Sequence, residues 1–342
     1  MPATAPARTL TICKIMSSRK LKFGSAINET LHQLMEQDSS VFVMGQGVKS
    51  PWYVGNTCDG LIQKFGEARV IDTPISENAM SGVAAGAALN GMRPVMNYPR
   101  LDFMFYALDA IINGAGNWRY MAGGNASVPV VFWGIINRGG EQAAQHSQAI
   151  QAMFAHAPGL KVVMPSNPYD AKGLLVAAVR DPSPVVFLDD RWLYGSEVEV
   201  PEELYEVEIG KGKILREGKD ATVVAISYLV PEALKAAEIL EKEGIGIEVI
   251  DPRTIKPLDM PLIAGSVKKT GRLVIAEGAW QSFGVASEIA SRVYTQAFGN
   301  LLAPIEKVCL PDCPAPASGA LEAAYYPKSE QIVSAVRKVV RA

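Results

Sequence analysis

The sequence predicts an α/β protein with two parallel-sheet α/β domains, and three observations carry that reading. Short apolar, β-branched runs alternate with stretches of helical length; the alternation occurs in two series; and the texture between them, after Tyr194, turns charged and punctuated by Pro and Gly. At 342 residues, 49% hydrophobic and 20% charged, the chain has the composition of a folded protein with sizeable cores.

In the first series the runs at 40–45, 93–98, 128–134, 160–165 and 183–190 read as buried strands, being too short and too β-rich for helices. Helices are expected near 25–37, 78–90, 103–122, 146–156 and 168–180, the last capped by Asn167 with Pro168 at its first position. Strand, helix, strand in repetition requires a parallel sheet covered on both faces. Residues 195–220 suit a domain crossing followed by a hairpin. The second series places strands at 221–227, 245–251, 272–278 and 305–311, with helices near 230–243, 259–268, 283–298 and 328–341. The expected division is an N-terminal tail over 1–19, one domain over 20–200 and a second over 201–342. Met16 offers a second start, and the Arg, Lys, Ser and Thr of the first residues faintly resemble an organellar transit segment.

Lys plus Arg number 33 against 35 Asp plus Glu, so bulk charge gives no reason to expect nucleic acid or an anionic membrane as partner. No apolar run approaches the roughly 20 residues that span a bilayer. Cys13, Cys58, Cys309 and Cys313 are too few and scattered for a disulfide scaffold, which points to a reducing compartment. The cytoplasm is the expected location, with an organellar matrix as the alternative.

The common nucleotide signatures fail: no G-x-G-x-x-G follows a strand, and no P-loop motif exists. The "CDG" at 58–60, with Asn90 downstream, is a poor match to a diphosphate-magnesium motif. Cys309 and Cys313 lack a second ligand pair for zinc, and Ser147 beside His146 lacks the geometry expected of a nucleophile and its base. The stretch "IDTPISENAMSGVAAGAALNG" is more informative: small residues allow close backbone approach, and one carboxylate, Glu77, stands at its mouth. Glu77 is either a helix N-terminal acid behind a Ser76 cap or a functional group at the end of the sheet where α/β proteins bind ligands.

The segments "ISENAMSGVAAGAALNGMRPV", "DAIINGAGNWRYMAGG", "VPVVFWG", "AAQHSQAIQAMFAHAPGLKVVMPSNPYDAKGLLVAAVRDPSPVVFLDD", "IDPRTIKPLD" and "AEGAWQSFGVASEIASRV" resemble, in order and spacing, the β subunit of the E1 component of thiamine-diphosphate-dependent 2-oxo acid dehydrogenases, of the transketolase superfamily. The resemblance runs from about Lys20 to Val340. It implies a pyrimidine-binding domain followed by a transketolase C-terminal domain. It also implies that Glu77 bonds the cofactor's pyrimidine N1′, where a carboxyl in an apolar pocket shares its proton and drives the 4′-amine toward its imino form. Phe103, 26 positions later, matches the aromatic residue that stacks on the pyrimidine, with a core phenylalanine as the alternative, and Tyr106 joins it in the implied cofactor set. His146 in "QHSQ" matches the histidine that orients substrate and assists acyl transfer to lipoyl; a structural histidine is the alternative. Ala178, Val179 and Asp181 match a potassium-binding loop, which also reads as an ordinary helix end before Pro182.

In "NYPRLDF" the chain departs from that family: Pro99 and Arg100 replace a Met-Thr or Gln-containing pair, and Tyr106 a common Gln. Arg100 suits an anionic or phosphorylated substrate, or else an ion pair with Asp102 or Asp109. No diphosphate half-site is visible, so the resemblance implies an E1 α subunit that holds Mg2+, an α2β2 heterotetramer, and a lipoyl acyltransferase E2 as a further partner. Three hypotheses follow: a 2-oxo acid dehydrogenase E1 β subunit, a split transketolase-like carbon-carbon lyase or ligase acting on a ketose, and a non-catalytic scaffold docking E2. The presence of Glu77, Phe103 and His146 together argues against the last.

Overall fold

A computed structural model describes residues 18–52 and 55–342; Cys13, Met16 and nearly all of the expected N-terminal tail lie outside the described residues. The first half runs β1 (Ser18–Lys22), α1 (Phe23–Gln37), β2 (Val41–Gly45), α2 (Leu61–Phe65), β3 (Val70–Asp72), α3 (Glu77–Leu89), β4 (Arg93–Tyr98), α4 (Trp118–Met121), β5 (Val131–Ile136), α5 (Gln151–His156), β6 (Lys161–Val163), α6 (Pro168–Arg180), β7 (Val185–Asp190) and β8 (Glu197–Pro201). The second runs β9 (Lys213–Arg216), β10 (Ala221–Ala225), α7 (Leu229–Glu241), β11 (Ile247–Asp251), β12 (Thr254–Lys256), α8 (Met260–Thr270), β13 (Leu273–Trp280), α9 (Val285–Ala297), β14 (Glu306–Leu310), α10 (Gly319–Tyr325) and α11 (Ser329–Arg341).

Two mostly parallel sheets result. The larger has the order β12-β6-β7-β5-β4-β2-β3 and the smaller β14-β13-β10-β11-β9. Strands β2, β5 and β7 are buried along their whole length and β4 from its second residue on, because helices cover both faces of the sheet. Asn167 caps α6 as expected, accepting from the Asp170 N–H at 2.9 Å with Pro168 at the first turn. Among the described residues no helix is long and apolar enough to cross a membrane.

Three local expectations are corrected, and the first sheet gains a strand from the second half of the chain. The hairpin expected after residue 195 does not form: β8 pairs antiparallel with the distant β1, Glu197 opposite Lys22, and β9 pairs antiparallel with β11. The first sheet is completed by β12, an antiparallel edge strand from the second half of the chain, with Thr254 opposite Val163. The expected 103–122 helix is instead a 3-10 turn over Leu101–Ala107, a π-helix over Asp109–Gly116 and the short α4. Asn78 Oδ1 takes the Ala110 N–H at 3.1 Å, and Gly116 lies so close to Gly159 that a Cβ on Gly159 would stand 2.0 Å from the Gly116 carbonyl oxygen. Finally, α5 begins only at Gln151, so His146 lies in the preceding loop rather than on a helix.

Candidate active site

Glu77 is the first residue of α3, on the short loop that leaves the C-terminal end of β3. Ser76 occupies the N-cap position but makes no side-chain cap hydrogen bond, so the capping pair weighed from the sequence is not what holds the carboxylate. Instead Gln46 Nε2, from the residue directly after β2, donates to Glu77 Oε1 at 3.0 Å. Beneath it, Ser81 Oγ donates to the Glu77 carbonyl at 2.5 Å and meets Tyr98 Oη, also at 2.5 Å. Burial pushes the Tyr98 phenol up, and the nearby Glu77 adds to it. Glu77 itself is buried, yet the surface around it is open: Ile75 is 82% exposed and Val83 54%. The outward face of α3 is built from Ala79, Gly82 and Val83, with open space where a Cβ on Gly82 or Gly86 would stand. The small residues of this helix therefore leave a bare face rather than a packed one.

Phe103, on the 3-10 turn after β4, meets His146 edge-on, with ring centroids 5.5 Å apart and planes at 90°. The tertiary fold thus brings these two sequence-distant rings together. Asp102 fixes the loop: its Oδ1 accepts from the Gln148 N–H at 3.0 Å. Burial raises the Asp102 carboxyl above its usual value, with the Gln148 hydrogen bonds and His146 acting against the rise.

Arg100 directs Nη1 to the Pro99 carbonyl at 2.8 Å and Nη2 to Gln142 Oε1 at 3.2 Å, on the same loop as His146. The two carboxylates weighed as its partners are bonded otherwise, Asp102 by Gln148 and Asp109 by Asn113 at 2.8 Å. Tyr106 is 71% exposed and points to the protein surface. The C-terminal turn of α6 and its cap residue Asp181 already hold two cations: Arg93 Nη1 donates to the Val179 carbonyl at 2.6 Å, and Lys161 pairs with Asp181, whose Oδ1 also takes the Ser183 N–H at 2.8 Å. Among the described residues no group of three or more His, Cys, Asp or Glu is placed to hold a metal ion. His32 serves structure, its Nε2 lying 2.9 Å from the Asp59 carbonyl in the "CDG" turn.

The sequence reading does not single out Gln46, and it weighs Asp102 only as an ion-pair partner of Arg100. Gln46 had a usable signal, a polar side chain between a buried strand and a glycine at the sheet's C-terminal edge. The bond from Asp102 to Gln148 had none, since Gln148 lies in a loop whose path is set elsewhere.

Two family models match the chain: "Transketolase, pyrimidine binding domain" over residues 19–196 and "Transketolase, C-terminal domain" over residues 210–332. Acetoin:2,6-dichlorophenolindophenol oxidoreductase subunit beta of Cupriavidus necator is 45% identical over 334 residues, 95% of this chain and 98% of that protein. Pyruvate dehydrogenase E1 component subunit beta of Rickettsia felis is 45% identical over 314 residues, 92% and 96% of the two chains. Among solved structures, a chain described as a split gene transketolase in an inactive β4 tetramer matches with a TM-score of 0.77 at 25% identity, covering 94% of this chain and 99% of that one.

Proposed function

The chain belongs to the transketolase-like family of E1 β subunits, and on that premise we propose that it is the β subunit of a thiamine-diphosphate-dependent 2-oxo acid dehydrogenase E1. It would decarboxylate a 2-oxo acid such as pyruvate and pass the acyl unit to lipoyl. One observation carries the reading: a buried carboxylate, Glu77, held by Gln46 at the C-terminal edge of a parallel sheet, opens beside the bare face of α3.

When bound, thiamine diphosphate supplies the nucleophilic carbon and the electron sink that decarboxylation needs. This chain's residues do the rest of our proposal. Gln46 donates to Glu77 Oε1, which leaves Oε2 as the oxygen that would exchange a proton with pyrimidine N1′. Phe103 presents a ring for the pyrimidine, with Tyr106 at the mouth, and His146, braced against the Phe103 edge, orients the substrate. The bare face of α3 takes the E1 α subunit, which brings the diphosphate half-site and Mg2+; an α2β2 assembly and docking to a lipoyl acyltransferase E2 complete the proposal. We assign a contact between β chains to a groove of about 1050 Å3 that Glu77 does not line. It is lined by Lys256, Pro257 and Leu258 together with Phe283, which is 96% exposed. A potassium ion at Ala178, Val179 and Asp181 would have to share the Val179 carbonyl with Arg93 and the Asp181 carboxylate with Lys161. Equal melting temperatures in KCl and choline chloride would sink it. The cytoplasm is our proposed compartment, an organellar matrix the alternative.

A second reading, a split transketolase-like lyase or ligase acting on a phosphorylated ketose, is favoured by Arg100, whose guanidinium reaches the His146 loop. One experiment separates the two. The chain is co-expressed with an α-subunit-like partner, cofactor binding is measured, and 2-oxo acids with ferricyanide are run against ketose phosphates with an aldehyde acceptor. Turnover of ketose phosphates alone overturns the dehydrogenase reading, and a pair that binds no cofactor leaves only the scaffold.

A further inference from the structure

The loop that carries His146 leaves β5 through four residues of positive φ, Gly139, Gly140, Glu141 and Ala143, so its own backbone has little reason to hold one path. Both of its ends are fastened to the second half of the chain. On the near side of His146, Glu141 and α10 exchange hydrogen bonds: Gly319 N–H donates to Glu141 Oε1 at 2.7 Å, and Glu141 N–H donates to Glu322 Oε2 at 3.0 Å. On the far side, Gln151 Nε2 donates to Glu277 Oε1 at 2.7 Å. Glu277 is fully buried within β13 and its two oxygens also accept from the first N–H groups of α9, Val285 at 3.2 Å and Ala286 at 2.7 Å. Two elements of the smaller-sheet half, α10 and β13, therefore bond this loop and its exit directly, and α9 bonds Glu277 in turn.

We propose that this double clamp, Glu141 with Gly319 and Glu322 on one side and Gln151 with Glu277 on the other, positions His146 and Gln142, the partner of Arg100, for the substrate. The C-terminal half is then a working part of the active site and not only a platform for subunit contacts. Glu141, Gln151 and Glu277 are positioning residues: they act through the loop and touch no reacting atom. The proposal rests on the functional reading above only for its consequence in catalysis; the clamp itself is a statement about the chain.

The test uses the full chain in complex with its α-subunit partner, carrying Glu141→Ala, Gln151→Ala or the conservative Glu141→Gln, whose amide oxygen still accepts from Gly319. Glu141 is exposed, so its replacement empties no core. Amide hydrogen exchange followed by mass spectrometry should speed up about tenfold over residues 142–150 in each alanine variant, and stay near the unsubstituted rate in Glu141→Gln. The turnover number for 2-oxo acid should fall about tenfold in the alanine variants while the cofactor's dissociation constant holds within about twofold. Unchanged exchange over 142–150, or Glu141→Gln behaving like Glu141→Ala, overturns the clamp. Faster exchange in a complex that never turns over 2-oxo acids supports the clamp and sinks the functional reading instead.

Discussion

Replacing Glu77 by Gln isolates proton exchange from packing. The side chain keeps its length and volume, and its amide oxygen can still accept from Gln46 Nε2, which lies 3.0 Å from Glu77 Oε1. The amide nitrogen then faces the position where Oε2 stood, and it offers a fixed donor that cannot pass a proton. Positioned acid-base catalysis contributes roughly 10²–10⁴-fold, which at 1.36 kcal/mol per factor of ten is about 3–5 kcal/mol on the barrier. The structural cost is far smaller: losing a charge from the first turn of α3 removes about 0.3–1 kcal/mol of helix-dipole interaction. The two magnitudes separate cleanly. In the complex with the α subunit, C2 proton exchange of bound thiamine diphosphate, read by quenched NMR, should slow at least about a hundredfold, while the melting temperature moves by only a few degrees. Exchange within about twofold of the unsubstituted complex would refute the relay and leave Glu77 as an ordinary helix-terminal acid.

Three further outcomes are expected. Gly82→Leu on the bare face of α3 places its Cβ in open space and should leave the isolated chain as stable or slightly more so, yet abolish pull-down of the α subunit; retained binding would remove that face from the interface. Arg138 and Asp190 form an ion pair buried on both sides, with the guanidinium 4.8 Å from the Tyr228 ring, so Arg138→Met strands a buried carboxylate and should cost about 3–5 kcal/mol by urea denaturation, much of it recovered in Arg138→Met with Asp190→Asn. Burial drives the Asp189 carboxyl from 3.8 up to about 7, despite hydrogen bonds from Tyr194 at 2.9 Å and Trp133 at 3.2 Å. The folded state then binds a proton that the unfolded chain releases, so this contribution to stability is present at acid pH and lost as pH rises from 3.8 to about 7. Asp189→Asn should flatten the urea midpoint across that window, and an unaltered pH slope would count against it.

Much of the site was legible before folding, but unevenly. Glu77 stands out because a lone carboxylate before a Gly and Ala helix is chemically conspicuous within one short window, and its spacing to Phe103 and the "QHSQ" around His146 match a known pattern. The misreadings share one cause. The 103–122 segment has helical composition, but Asn78 diverts its backbone bonding and the close passage of Gly116 and Gly159 shapes its end. His146 sits in the helix-like run "QHSQAIQ", but the N–H of Gln148 goes to Asp102 rather than into a helical ladder.

What the sequence determined by itself is what lies within a window of about a dozen residues: the succession of strands and helices, the α6 cap, and the two-series α/β plan. Those depend on periodicity and on side chains bonding their own neighbourhood. Only the tertiary structure decided that β8 pairs with β1, that β12 crosses to the edge of the first sheet, that Gln46 holds Glu77, and that Glu141 and Gln151 reach into the other half of the chain. Each of those partners is selected among many polar or extended candidates by the packing of the two cores, and no local pattern encodes which one that packing brings near.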